Sequence, residues 1–176
     1  GIASKVCFCP CCDIVIEIPL CRKKISTCKN FAWSLERIEE DGLLGLTNVR
    51  IVIPKNVSYI HPLCGWNSFL LGIDVSPENE YYSSDAEGME VYSKDGTVLY
   101  RTLRSGSEYI VSENIKCIYD FALESYNEIV IHNGIESIGW YVFQNSPDVY
   151  YAGTENEWNN VCFANETGRY YVHFDY

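Results

Sequence analysis

The chain has 176 residues, of which 47% are hydrophobic and 21% are charged, and this composition excludes an intrinsically disordered protein. Its 24 acidic and 13 basic residues give a formal charge of −11, which argues against nucleic acid or an anionic membrane surface as a partner. No apolar run reaches the roughly 18 residues of a transmembrane helix, so no membrane span is predicted.

The cysteines are concentrated at the start of the chain, where six of the nine fall within the first 28 residues. Residues 9–12 read C-P-C-C and resemble one knuckle of a zinc ribbon, in which thiolates two residues apart grip a tetrahedral ion. Cys21 and Cys28 stand seven residues apart and do not supply a matching second knuckle. Disulfides, free thiols and a metal site all remain open, so no metal ligand and no cofactor is assigned.

The other three cysteines lie inside or beside apolar patterns, where a free cysteine acts as a small core residue. They are Cys64, Cys117 and Cys162.

Two alternating phrases that end in proline predict strands in the first third of the chain. Residues 14–19 read I-V-I-E-I-P and residues 51–54 read I-V-I-P, which is typical of a strand whose ladder stops at the proline. Residues 21–33 are interpreted as a degenerate first repeat. Residues 1–34 are therefore assigned as a cysteine-rich N-terminal cap, and residues 35–176 as a repeat domain.

The repeat period breaks after Val75, and the segment 77–108 is interpreted as an insertion. Within it, Asp95 and Gly96 stand between alternating apolar residues, which is a strong signal for a β-hairpin. An antiparallel hairpin is therefore predicted over residues 89–101, outside the repeat ladder.

Two tandem copies of one pattern lie between Ile115 and Tyr151. Each copy has two aliphatic residues three apart, then a small and a large apolar residue, then an apolar-x-apolar triplet. The first copy contains Ile115, Ile118, Ala122, Leu123, Ile129 and Ile131, and the second contains Ile135, Ile138, Val142, Phe143, Val149 and Tyr151. The two copies are about twenty residues apart. Self-similarity at such a period predicts one supersecondary unit that is stacked on copies of itself. Residues 153–176 depart from the pattern and are assigned as a C-terminal cap that hides the open core.

Several phrases of the repeat region resemble the BspA-like leucine-rich repeats of bacterial surface proteins. They lie at residues 51–60, 79–84, 92–96, 134–143 and 149–158. The resemblance covers about residues 35–176 and not the cysteine-rich start. It implies an α/β leucine-rich repeat fold: a right-handed solenoid with a parallel β-sheet on its concave face, strand-dominated, with short helical turns. It also implies secreted or cell-surface proteins that bind partners, without catalytic residues to carry over.

The strands at residues 51–53, 73–75, 109–111, 129–131 and 149–151 are expected to lie parallel and adjacent in one sheet. Alternation along such strands predicts two outward columns of side chains. One column contains Glu17, Val52, Asp74, Ile110, Val130 and Tyr150. The other contains Val15, Arg50, Gly72, Glu108, Glu128 and Asp148.

The last three members of each column are the candidate binding residues. Glu108, Glu128 and Asp148 would stack as like charges, which favours a cation or a basic partner. Three solvated carboxylates without a specific role are the alternative. Tyr150, beside Val130 and Ile110, offers an apolar anchor.

The three histidines, His61, His132 and His173, fall in different repeats without a serine or cysteine nucleophile motif, so catalysis is not expected. The sequence predicts a non-catalytic repeat domain that presents a β-lined surface to a protein or glycan partner, secreted or at a bacterial cell surface. The alternative is an intracellular, cytoplasmic scaffold whose cysteine-rich start binds zinc. The oligomeric state is not predicted.

Overall fold

The computed structural model describes residues 5–8, 15–18, 35–40, 42–43, 45–64, 69–123, 126–144, 146–164 and 172–174. The chain divides into two compact units, Gly1–Lys94 and Asp95–Tyr176. Side chains are described from residue 35 onward. The predictions for the N-terminal cysteines and for a degenerate repeat at residues 21–33 therefore lie outside the described residues.

The described part of the first unit is built from short strands. They are β1 (Lys5–Phe8), β2 (Val15–Ile18), β3 (Arg37–Ile38), β4 (Thr47–Ile53), β5 (Tyr59–Ile60), β6 (Phe69–Val75), β7 (Tyr82–Ser84) and β8 (Glu90–Ser93). Strands β4 and β6 pair in parallel, with Ile51 opposite Ile73. Strands β3 and β5 also pair in parallel, with Ile38 opposite Ile60. Both registers join residues 22 positions apart, which is the spacing between the predicted strands at residues 51–53 and 73–75.

Strand β2 does not follow the parallel repeat. It pairs antiparallel with β4, so that Ile16 lies opposite Ile51 and Glu17 lies opposite Arg50. It also pairs antiparallel with β1. Glu17 was predicted to share a column with Val52. That assignment is wrong, because β2 runs antiparallel to β4 and Glu17 lies opposite Arg50.

Within the predicted insertion, the structure contains an antiparallel hairpin that lies before the one predicted at residues 89–101. It joins β7 to β8, with Tyr82 opposite Ser93. Its turn is closed by the Asp85 carboxylate, which accepts hydrogen bonds from the backbone of Met89 and Glu90. Gly88 completes the turn with a φ of +65°.

The second unit continues the parallel repeat. Its described elements are β9 (Val98–Thr102), β10 (Glu108–Ile110), β11 (Cys117–Ile118), β12 (Glu128–His132), β13 (Ser137–Ile138), β14 (Asp148–Ala152), α1 (Glu155–Asn160), β15 (Cys162–Phe163) and β16 (Val172–His173). Strands β10, β12, β14 and β16 form one parallel ladder. Strands β9, β11, β13 and β15 form the other. The residues of β9, expected in a hairpin outside the repeat, thus belong to a repeat ladder.

The side chains between the two ladders form the core of the second unit. Eleven of the twelve residues of the two predicted tandem copies are buried, and the twelfth, Phe143, is half buried. Ile118 lies opposite Ile138 in one ladder, and Ile129 lies opposite Val149 in the other. Equivalent residues of successive copies therefore stack directly on each other, and the tandem pattern is confirmed as the repeat of the fold.

Helix α1 lies between β14 and β15 in the second unit. Thr154 and Glu157 form a capping box, in which each side chain bonds the backbone N–H of the other residue. Hydrogen bonds from the Thr154 backbone and hydroxyl hold the pKa of Glu157 below its ordinary value. The cap directs Trp158 inward, where its ring packs 4.9 Å from that of Tyr151.

The predicted fold class is confirmed: each unit stacks short parallel strands, and helix is almost absent from the described residues. One detail differs from the expectation of a single sheet. The described strands β4 and β6 belong to one four-stranded sheet, while β10, β12 and β14 belong to another. No helix in the described ranges is long and apolar enough to cross a membrane.

Ile131 and Ile110 provide a matched test of the inward and outward positions. Ile131 is 0% exposed and Ile110 is 62% exposed, although both lie on the same ladder. Replacing Ile131 by Ala is expected to lower the free energy of unfolding by about 2 to 5 kcal/mol, because it leaves a cavity in a thin core. Ile110→Ala is expected to cost less than about 1 kcal/mol. Urea unfolding of both variants measures the difference, and equal losses would contradict the assigned core.

Candidate functional site

Three carboxylates form a straight column on the first ladder of the second unit. Glu108 lies opposite Glu128, and Glu128 lies opposite Asp148. All three residues are exposed. Neighbouring strands lie about 4.8 Å apart, so this alignment holds like charges side by side along the sheet. The register is the one that the sequence predicts.

The adjoining column contains the predicted apolar anchor. Ile110 lies opposite Val130, and Val130 lies opposite Tyr150. Ile110 is widely exposed and Tyr150 is half buried, but Val130 is only 6% exposed. Val130 stands between two larger neighbours in its column and offers little surface of its own. The expectation that it is available to a partner is therefore wrong.

His173 extends the column of Tyr150 by one strand and was not among the predicted site residues. It lies opposite Tyr150 in the register of β14 and β16, and the two rings stack with centroids 4.9 Å apart. Its Nε2 lies 3.7 Å from an Asp148 carboxylate oxygen, with both side chains more than half exposed. Such an exposed pair contributes little to stability, and only when the imidazole is protonated.

The equivalent positions of the first unit are occupied by an internal ion pair. The Arg50 guanidinium donates to the Asp74 carboxylate at 2.7 Å and to the backbone carbonyl of Glu87 at 2.5 Å. Gly72 leaves room for this group, since a Cβ there would lie 2.6 Å from Arg50 Cζ. Arg50 and Asp74 were predicted to face outward in the two columns. They instead bind each other within the first unit.

The three histidines serve separate local roles in the described structure. His61 Nδ1 accepts a hydrogen bond from the backbone of Leu63, and His132 Nδ1 accepts one from the backbone of Gly134. His173 belongs to the column of Tyr150. No group of three His, Cys, Asp or Glu side chains among the described residues is arranged to hold a metal ion.

The three cysteines of the repeats are free thiols with different degrees of burial. Cys64 is buried, as expected for a small core residue, and Cys117 is half buried. Cys162 is exposed, so its assignment to the core is wrong. It occupies an outward position of β15, opposite Ser137.

An exposed aromatic cluster on the second unit was not anticipated from the sequence. Phe121 and Tyr141 both have left-handed backbone angles, with φ of 57° and 55°, and their rings stack with centroids 5.0 Å apart. Trp140 lies beside them, and its backbone N–H donates to the Asp120 carboxylate at 2.7 Å. Left-handed angles are uncommon for aromatic residues, so the fold holds these side chains outward at a conformational cost.

Glu128 is the member of the acidic column with a carboxylate on each side. Replacing Glu128 by Gln is expected to leave stability unchanged or to raise it by less than about 1 kcal/mol, because it relieves like-charge repulsion. The gain should be larger at low ionic strength than at high. Chemical unfolding at both ionic strengths measures it, with exposed Glu113→Gln as the control. A loss above about 1 kcal/mol would show that the Glu128 carboxylate makes a stabilising contact.

No family model matches the chain, and no curated protein matches it. Among solved structures, it is similar to the pneumococcal vaccine antigen PcpA at 22% identity and a TM-score of 0.52, over 62% of this chain and 28% of that one. It is also similar to a leucine-rich repeat protein from Eubacterium ventriosum at 24% identity and a TM-score of 0.46, over 61% and 30% of the two chains. The chain therefore spans less than a third of either structure. The likeness to PcpA shows the fold alone.

Proposed function

We propose that the second unit is a non-catalytic binding module whose first ladder docks a basic segment of a protein partner. The observation that carries this proposal is the register of Glu108, Glu128 and Asp148, which lines up three exposed carboxylates beside an apolar column. Repeat folds commonly bind partners on such an extended strand surface, because successive repeats present equivalent positions at a regular spacing.

The acidic column supports a cationic partner on electrostatic grounds. Each carboxylate raises the local negative potential felt by the next, and a lysine or arginine between two of them relieves the repulsion of both. The formal charge of −11 on the whole chain adds a long-range attraction for basic molecules. Charges of this kind mainly accelerate association, so their removal should act on the rate of binding.

The apolar column supplies the short-range part of the proposed interface. Ile110 is exposed, and Tyr150 stacks on His173, so one aliphatic and two ring side chains lie next to the carboxylates. Aromatic residues anchor protein interfaces because they bury a large area at a small cost in conformational entropy. A partner residue that packs on Tyr150 would therefore be held mainly through a slow dissociation rate.

A location outside the cell fits this proposal. The resemblance of the repeats to those of bacterial surface proteins and the description of PcpA as a vaccine antigen both support it. The second candidate, an intracellular scaffold that binds zinc through the N-terminal cysteines, differs in its thiol chemistry. A zinc assay with thiol counting on natively purified protein separates the two.

A random peptide library displayed on phage tests the proposed interface and requires no candidate partner. Selection on the immobilised chain should enrich peptides that contain lysine or arginine, and surface plasmon resonance then measures their kinetics. The double variant Glu128→Gln, Asp148→Asn should slow association and weaken its salt dependence. Tyr150→Ala should mainly speed dissociation, by about tenfold.

The matched controls remove the same groups elsewhere in the chain. Glu40→Gln with Glu113→Gln removes two exposed charges, and Tyr141→Ala removes an exposed ring. These controls should leave the kinetics of the selected peptides unchanged. Peptides without basic residues, or affinities that fall only in the Tyr141 variant, would contradict the proposed surface.

A further inference from the structure

An open polar cleft lies on the first unit, which is not the unit that carries the proposed peptide surface. Its volume is about 700 Å³, within the range of small-molecule sites. Its lining contains three carboxylates, an ammonium group, an amide, an aliphatic hydroxyl and an aromatic ring. The lining residues are Glu36, Lys55, Asn56, Ser58, Glu78, Glu80 and Tyr81.

A buried asparagine, which lies in the sequence between the lining residues Glu78 and Glu80, joins two stretches of the cleft lining. Asn79 is 1% exposed, and its amide nitrogen donates to the backbone carbonyls of Pro54 and Val57 at 2.8 and 2.9 Å. Its carbonyl oxygen accepts from the backbone N–H groups of Tyr81 and Tyr82, each at 2.8 Å. The segment after β6 is thereby fastened to the segment after β4, so two walls of the cleft are fixed before any ligand arrives.

The third wall is tied to the second through the backbone. The Glu36 carbonyl accepts hydrogen bonds from the Ser58 backbone N–H at 2.8 Å and from the Ser58 hydroxyl at 3.3 Å. Glu36 and Ser58 stand 22 residues apart, so this contact joins equivalent positions of two successive repeats. Side chains from three separate stretches of sequence therefore converge on one preformed cavity.

Some polar side chains of the cleft already bond to other residues of the protein, and others do not. Lys55 Nζ forms an ion pair with Glu78 at 3.1 Å, which neutralises both charges locally. The Glu36 and Glu80 carboxylates make no hydrogen bond or ion pair to another described residue. The ring of Tyr81 is exposed, with 51% of the residue accessible to solvent. The cleft thus offers two acceptors, further polar groups and one open aromatic face.

This combination matches the chemistry of an uncharged saccharide. A sugar ring carries several hydroxyl groups that both donate and accept hydrogen bonds, and its C–H faces pack on aromatic rings. An anionic ligand would be repelled by the Glu36 and Glu80 carboxylates, and an apolar ligand would find only one ring. A basic peptide would pair with the Glu36 and Glu80 carboxylates but would leave the remaining polar groups of the lining unused, and pentalysine tests that alternative. We infer that this cleft is a binding site for a neutral oligosaccharide.

The site is tested with an array of neutral and charged oligosaccharides, followed by calorimetric titration of the strongest ligand into the full chain. The expected result is binding of uncharged sugars, with an affinity that is insensitive to ionic strength. Tyr81→Ala and Glu80→Ala should each weaken the affinity by about tenfold, since they remove the ring contact and a charged acceptor. Both side chains are exposed, so thermal unfolding of the variants should remain close to that of the natural chain.

Two control variants locate the binding, and a second probe tests the ligand class. Tyr141→Ala and Glu113→Ala remove the same groups from the second unit and should leave the affinity within about twofold. Loss of sugar binding in the Tyr141 variant would place the site on the aromatic cluster and overturn the inference. Binding of pentalysine that disappears at high salt, without sugar binding, would make the cleft a cation site and also overturn it. No binding of any array sugar would overturn it as well.

Discussion

The second unit depends on the stacking of equivalent apolar side chains every twenty residues. Ile129 lies opposite Val149, and Ile118 lies opposite Ile138, so each repeat covers the inward face of the next. No single repeat of this size could bury its own apolar face, and stability therefore arises between neighbours. The same register fixes what faces outward, because residues alternate along each strand. The acidic column is thus a consequence of the spacing that builds the core.

This dependence explains which parts of the structure could be predicted from the sequence. The inward triplets and the alignment of Glu108, Glu128 and Asp148 follow from a periodic pattern, and the structure reproduces them. His173 was missed because the last repeat is longer: it lies opposite Tyr150, twenty-three positions earlier, so the regular period does not reach it. Helix α1 lies between these two residues and accounts for part of the added length.

Other differences come from side-chain interactions that override the pattern. The hairpin of β7 and β8 was not predicted, because its turn depends on Gly88 and on Asp85, whose carboxylate accepts hydrogen bonds from two backbone N–H groups. In the first unit, the Arg50 side chain lies over Gly72 and pairs with Asp74. The alternation of residues along a strand does not predict such a pair. The cleft was also invisible to sequence reasoning, because Asn79 joins segments whose contact depends on the folded register.

The core and the acidic column both depend on the parallel register of β10, β12 and β14. Cross-strand nuclear Overhauser effects in an isotope-labelled sample test it without a partner or a substitution. Contacts of the parallel type are expected between the backbone protons of Tyr109 and Ile129, and between those of Ile129 and Val149. Close Hα–Hα contacts typical of antiparallel strands, or a register displaced by one residue, would contradict it, because either would turn the carboxylates away from a common column.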